Sequence, residues 1–433
     1  MVRAAGIGAS LALVVTATAL SLRPPPGVPA LLPIGIAWAA FGIGAWLVLR
    51  LPRKVAVPLI LAGAVVLLIG TGLGPPRSSD DLYRYLWDGR VQAAGIDPYR
   101  YVPAAPELAG LRDDFLWPTT SNWCVADGCT LINRPTVHTI YPPGAQVLFL
   151  ILYVVSPAGA GAAPAQVMGG LFALAVTVLL LLRLPDPRRA VLWAWCPLVP
   201  LEAASNGHID VAAALLTVLA LLVLAKGKKP WVGGALLGLA VVVKVTPLAV
   251  LPAALRRRPW AVLASLSTVV LVAYLPHLVA VGGGALGYLG GYAREEGYTR
   301  GWWFAVAVAV LAGATAWAWR TADPERPWEA AAVTTGGLLL VTAPAYPWYA
   351  TLLVALVGLG ARVEWLAVAA AGYVAQYAGE LHLAPTTAQR AGYGLAGLMV
   401  LGGWWFRRER TDAAPRRSSP TGAAAPAAGR PTT

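Results

Sequence analysis

Residues 55–74 run through twenty positions without one charged side chain. A bilayer crossed as an α-helix takes about twenty apolar residues. In lipid each backbone N–H and C=O must be satisfied internally, which a helix does within its own segment. Composition generalises the point: 58% of the 433 residues are hydrophobic and 12% are charged. Soluble domains carry about twice that charged fraction. The fold class expected is therefore an all-α integral membrane protein.

Further apolar segments at 5–22, 29–50, 164–182, 190–205, 209–225, 260–281, 302–319, 328–343, 348–361, 363–380 and 391–406 bring the expected crossings to about twelve. Basic residues gather where these runs end: Arg50/Arg53/Lys54, Arg183/Arg188/Arg189, Lys226/Lys228/Lys229, Arg256–Arg258, Arg320, Arg362 and Arg407/Arg408/Arg410. All fall on one side if the N-terminus is cytoplasmic, as the positive-inside rule requires. The net charge of +13 is thus a topology signal, and nucleic acid is not an expected partner. Two segments resist simple crossing. Residues 144–157 would reverse the order of the basic clusters, and 231–255 is interrupted by Lys244-Val245-Thr246-Pro247. A broken or re-entrant pair satisfies both constraints, because such backbone is tolerated where it lines a protein cavity.

Four regions follow: N-terminal transmembrane helices over 1–74, an extracytoplasmic catalytic loop over 75–143, a helical bundle with re-entrant segments over 144–410, and a disordered cytoplasmic tail over 411–433. The tail has no apolar periodicity. Arg3 with the apolar stretch to Leu22 reads as an uncleaved first span, a cleaved signal peptide being the alternative.

This threading rests on Lys and Arg alone, yet it sorts the unusual sequences. The 75–143 loop, "SNGHID" at 205–210, the aromatic loop 282–301 and "PAYPWY" ending at Tyr349 all reach the outer face. In "SSDDLYRYLWDGR" (78–90), Ser79 or Asp80 can cap a helix. Asp81, Arg84 and Asp88 then share one face, and Arg84 can make ordinary surface ion pairs with Asp80 or Asp88. Against that plain reading, the loop is long and carries Trp87, Trp117 and Trp123, which fits a functional loop better than a disordered one.

Other candidates accompany it. Asn206, His208 and Asp210 gather around an Asn-Gly turn after Glu202, as a polar cap or as sugar ligands. Lys244, at the break in an apolar run, is costly at membrane depth, on the order of 3 kcal/mol. It is either a phosphate partner or a side chain reaching the interface. Arg294 and Arg300 in "YAREEGYTRGWW" (292–303) are rival phosphate ligands beside Glu295 and Glu296. Tyr346, Trp348 and Tyr349 form an interfacial belt or a surface for sugar and prenyl chain. Cys124 and Cys129 lie close enough in an outer loop to bridge, and Cys196 reads as packing. No complete metal-ligand set is present, so no metal or cofactor is expected.

"DDLYRYLWDGRVQAAGIDPYRY" (80–101) resembles the first-loop signature of bacterial polytopic glycosyltransferases of the GT-C superfamily. The resemblance is notably to glycosyltransferase family 87 and the polyprenol-phosphate-mannose-dependent mannosyltransferases. "LEAASNGHIDVAAALL" (201–216), "KVTPLAVLPAAL" (244–255) and "YPWYATLL" (346–353) resemble downstream blocks in the same order. The resemblance implies a GT-C-like bundle in the plasma membrane with its active site on the extracytoplasmic face. It implies a polyprenyl-phosphate sugar as donor, with a hexosyl and by family a mannosyl group, and a glycan or glycolipid acceptor. An acid of the first outer loop is the implied base, Asp81 first and Asp80 second. Lys244, Arg300, Arg294 and Arg84 are then candidates for the donor phosphate; Asp88, Asn206, His208, Asp210, Tyr141, Trp348 and Tyr349 are candidates for sugar and acceptor. An inverting displacement needs one carboxylate to take the acceptor proton, not the acid pair of glycoside hydrolysis. A multi-pass transporter or lipid flippase, or a non-catalytic envelope assembly factor, are the alternatives; no internal repeat favours the transporter.

Overall fold

The computed structural model describes residues 2–126, 128–287, 291 and 301–412. The chain is helical, with one two-stranded hairpin among the described residues. Its helices in chain order are α1 (Val2–Leu22), α2 (Leu31–Val48), α3 (Arg53–Thr71), α4 (Asp81–Ala93), α5 (Pro143–Val155), α6 (Ala163–Arg183), α7 (Val191–Ala194) and α8 (Asp210–Ala225). There follow α9 (Pro230–Val243), α10 (Leu251–Ala254), α11 (Pro259–Val281), α12 (Gly301–Thr321), α13 (Trp328–Thr342), α14 (Thr351–Leu359), α15 (Leu366–Gln376) and α16 (Pro385–Asp412). Strands β1 (Trp123–Val125) and β2 (Gly128–Thr130) form the hairpin.

Among the described residues, five helical stretches are long and apolar enough to cross a membrane: Leu31–Val48, Arg53–Thr71, Ala163–Arg183, Pro259–Leu286 and Trp303–Thr321. This is an all-α membrane protein. Several of the apolar segments expected to cross singly break into shorter helices. Segment 190–205 departs most from a single span: α7 has four residues, and a π-helical turn follows at Pro200–Ser205. Pro197 and Pro200 have no N–H to donate and disrupt the α-helical ladder there. Segments expected at 348–361 and 363–380 contain helices of nine and eleven residues, well short of the twenty a crossing takes.

The expected interruption at Lys244 is present. Helix α9 ends at Val243, Lys244 is extended (φ −151°, ψ 143°), and a 3₁₀ turn follows at Thr246–Val250. Helix α5 is another short piece, thirteen residues opened by Pro143. It packs on α4 and α9, and α9 in turn on α8 and α11. The α4–α5 approach is close because Gly89 has no Cβ: one placed there would lie 2.2 Å from the Phe149 carbonyl oxygen.

The connection between α3 and α5 has its own core. Leu82, Tyr85, Trp87, Leu108, Leu116 and Ile132 are buried with Tyr141 and Phe149 in a cluster separate from the main bundle core. The Tyr85 and Phe149 rings stack at 4.4 Å. Burying this many large rings offsets the entropy of ordering a long loop. The disordered tail expected from 411 falls on residues 413–433, outside the described residues; α16 continues to Asp412.

Candidate active site

Helix α4 begins at Asp81, and the Ser79 hydroxyl accepts the Asp81 N–H at 3.2 Å. Asp80 stands before the helix, yet its side chain makes no capping bond. Its carboxylate instead accepts from Trp123 Nε1 at 2.7 Å and from Asn133 Nδ2 at 2.8 Å. The same Asn133 amide donates to Asp81 Oδ1 at 2.6 Å, so one side chain fastens both acids. Burial pushes the Asp81 carboxyl above its ordinary value, and the nearby Lys244 ammonium and the Asn133 bond oppose that rise.

Behind Asp81 lies a buried polar layer. The π-helical turn ends at Ser205, and Gly207 then takes φ +65°, a conformation open to glycine without steric cost. This turn carries His208 inward, where it is 1% exposed. Its Nδ1 is 3.7 Å from Asp81 Oδ2, and its Nε2 is 3.5 Å from Glu202 Oε2. Glu202 also accepts from Asn206 Nδ2 at 2.8 Å and from the Tyr373 hydroxyl at 2.9 Å. The His208 ring stacks on Trp348 at 4.1 Å, and Trp348 on Tyr346 at 4.5 Å.

Two of the candidate cations, Lys244 and Arg84, share this region with the acids, and Arg134 lines the same cleft. Lys244 Nζ, at the broken end of α9, donates to Asp210 Oδ2 at 2.9 Å and lies 5.5 Å from the Tyr349 ring centre. Arg84 Nε donates to Asp88 Oδ1 at 2.8 Å, and its Nη1 to the Val137 carbonyl at 3.1 Å. Gln146 holds the second Asp88 oxygen at 3.0 Å. The Arg84–Asp88 pair expected at the surface is buried, because that face of α4 packs against α5 and the 137–146 segment.

Asp80, Asp81, Arg84, Tyr141, Lys244, Trp348 and Tyr349 line one cleft of about 240 Å³. Seven candidates separated by up to 269 positions thus converge. Asp88, Asn206, His208 and Asp210 lie buried off its lining. Arg294 and Arg300 fall outside the described residues. Cys124 and Cys129 are bridged across paired positions of the hairpin. Asn133, Trp123 and Gln146 were not singled out as ligands in sequence, since nothing local marks an amide or indole as the partner of distant acids.

The decisive comparison is with families of known chemistry. The model of glycosyltransferase family 87 matches residues 139–295. The match spans rather more than a third of the chain, and includes His208, Asp210 and Lys244. The chain resembles family 87, as its sequence blocks imply, and the family implies a membrane glycosyltransferase. No curated protein and no solved structure matches the chain. Asp80 and Asp81 precede the matched region, so their roles are argued from geometry. A family 87 enzyme needs a sugar donor and an acceptor; the cleft offers a partly desolvated carboxylate, an ammonium and aromatic surface.

Proposed function

We propose that this family 87-like protein moves a hexosyl group, mannosyl by resemblance, from a polyprenyl-phosphate sugar to a glycan or glycolipid. The observation that carries the reading is one shared cleft: Asp81 and Lys244 line it together with Trp348 and Tyr349. Asp81 takes the acceptor hydroxyl proton as the acceptor oxygen bonds to the anomeric carbon. The bond from that carbon to the lipid-phosphate oxygen breaks, its electron pair leaves on the phosphate, and configuration inverts. An ammonium has three N–H donors; Asp210 occupies one, and the others are available to the phosphate as its charge grows. Arg84 adds positive potential from the same lining, although Asp88 and Val137 already fix it.

The site is proposed to lie at the extracytoplasmic face of the plasma membrane, supported by the segregation of basic clusters in sequence. No metal or cofactor takes part in this scheme, since a lipid phosphate is already an activated leaving group. The test is to incubate purified protein in lipid nanodiscs with polyprenyl-phosphate mannose, glucose and arabinose, with and without glycolipid extract. One donor should be consumed with release of polyprenyl phosphate. Transport of an intact lipid-linked sugar with none consumed would favour the flippase.

A further inference from the structure

A second chamber, about 370 Å³, adjoins the cleft and shares Ser78, Ser79, Asp80 and Trp123 with it. Its other walls include Arg77, Tyr83, Ser121 and Asn122. We propose that this chamber holds the acceptor as a neutral, polyhydroxylated chain of about two sugar units, whose terminal hydroxyl passes Asp80 to reach Asp81. The inference rests on the glycosyl-transfer reading and adds where the acceptor binds and what class it is.

The division of charge decides which substrate goes where. Lys244, Arg84 and Arg134 line the cleft against Asp80 and Asp81, an excess of positive charge, whereas the second chamber has Arg77 against Asp80. The anionic lipid phosphate therefore belongs in the cleft. The second chamber sets the Arg77 guanidinium against the Asp80 carboxylate and otherwise presents hydroxyls, an amide and two aromatic rings, which suits sugar hydroxyls and the apolar faces of sugar rings. Its volume lies within the 300–1,000 Å³ of ordinary small-ligand clefts. The side chains of Arg77 and Asn122 take no hydrogen bond or ion pair among the described residues, so both are available to a ligand. Trp123 is 38% exposed although most large rings in this loop are buried.

The hairpin builds the partition between the chambers. Trp123 pairs with Thr130 and Cys124 with Cys129, the disulfide closing the hairpin directly behind the indole. Ser121 Oγ accepts the Trp123 N–H at 3.0 Å and bonds the Thr130 carbonyl, tying both strands to the chamber wall. The indole then meets Asp80 Oδ2 at 2.7 Å. An acceptor seated on this wall lies next to the acids by construction.

The experiment measures how each enzyme in nanodiscs partitions donor sugar between octyl mannobioside and water. Asn122→Ala and Trp123→Ala should each shift the transfer-to-hydrolysis ratio at least tenfold toward hydrolysis. Trp123→Phe, which keeps a ring, should recover part of the loss, and Cys124→Ala/Cys129→Ala should follow Trp123→Ala. An unchanged ratio in Asn122→Ala and Trp123→Ala would overturn the assignment. Saturation-transfer NMR with methyl mannobioside keeps the two readings separate. Saturation in wild type that is lost in Asn122→Ala supports the chamber even if no donor is consumed and the transferase reading fails. No saturation in wild type overturns the chamber even if donor is consumed.

Discussion

Nδ1 of His208 stands 3.7 Å from Oδ2 of Asp81. Neither nitrogen of that buried ring has a hydrogen-bond partner, and Glu202 waits 3.5 Å from the other side. These distances exceed a hydrogen bond, yet a shift of less than 1 Å converts one contact into a bond. A ring N–H turned to Asp81 favours its ionised form.

His208→Phe keeps a ring against Trp348 and removes the N–H. Asp81 must be ionised to act as base, so activity is lost as pH falls through its pKa. Burial already raises that pKa above 3.8, and the acid limb of kcat should lie correspondingly high. With His208 replaced, the limb should move further up by as much as about one unit, equivalent to 1.4 kcal/mol. A pH–rate profile checks this; a lower plateau with an unmoved limb would give His208 a packing role only.

Lys244 and Asp210 are expected to separate stability from catalysis. Lys244→Met leaves Asp210 buried and unpaired, which costs about 3–5 kcal/mol and should lower the thermal midpoint. Lys244→Met/Asp210→Asn should recover most of that stability. Donor KM should stay raised in the double variant, because the proposed phosphate partner is still missing. Recovery of donor KM together with stability would make the pair structural.

Much of this site was legible in sequence, for identifiable reasons. Lys244 was visible because a lone cation interrupting an apolar run is costly in lipid. Asp80 and Asp81 were visible because acids cluster where a span ends. The Asn206-Gly207 turn was visible because glycine relieves a positive φ. What stayed hidden was partnership over distance. Asn133 fastens acids 52 and 53 residues away, and Tyr373 reaches Glu202 across 171 positions; an amide or phenol carries no local sign of either. The break across 190–205 was missed because hydrophobicity alone does not register Pro197 and Pro200 as helix breakers.

Activity is expected to survive EDTA. The proposed donor is already activated as a lipid phosphate, so the scheme needs no nucleotide-chelating metal. Turnover measured before and after chelation checks this; a loss rescued by Mg²⁺ or Mn²⁺ would require ligands close to His208 and Asp210 and a revised chemistry.

Orientation has a direct readout. In spheroplasts of cells expressing the chain, a single cysteine introduced at position 110 should react with an impermeant maleimide added outside, and one at 420 should not. Labelling at 420 alone would invert the threading and put the cleft on the cytoplasmic side.

The proposed base gives the most direct measurement: transfer by Asp81→Asn against wild type, at saturating donor, with donor binding measured in parallel. Asparagine keeps the shape and hydrogen-bonding reach of the side chain and loses its basicity. Turnover should fall by roughly 10²- to 10⁴-fold, the scale of a lost general base, while donor affinity changes little. Asp80→Asn should be milder, since that carboxylate is already occupied by Trp123 and Asn133. Near-wild-type turnover in Asp81→Asn would contradict the assignment, and if Asp80→Asn were then inactive the base would be Asp80.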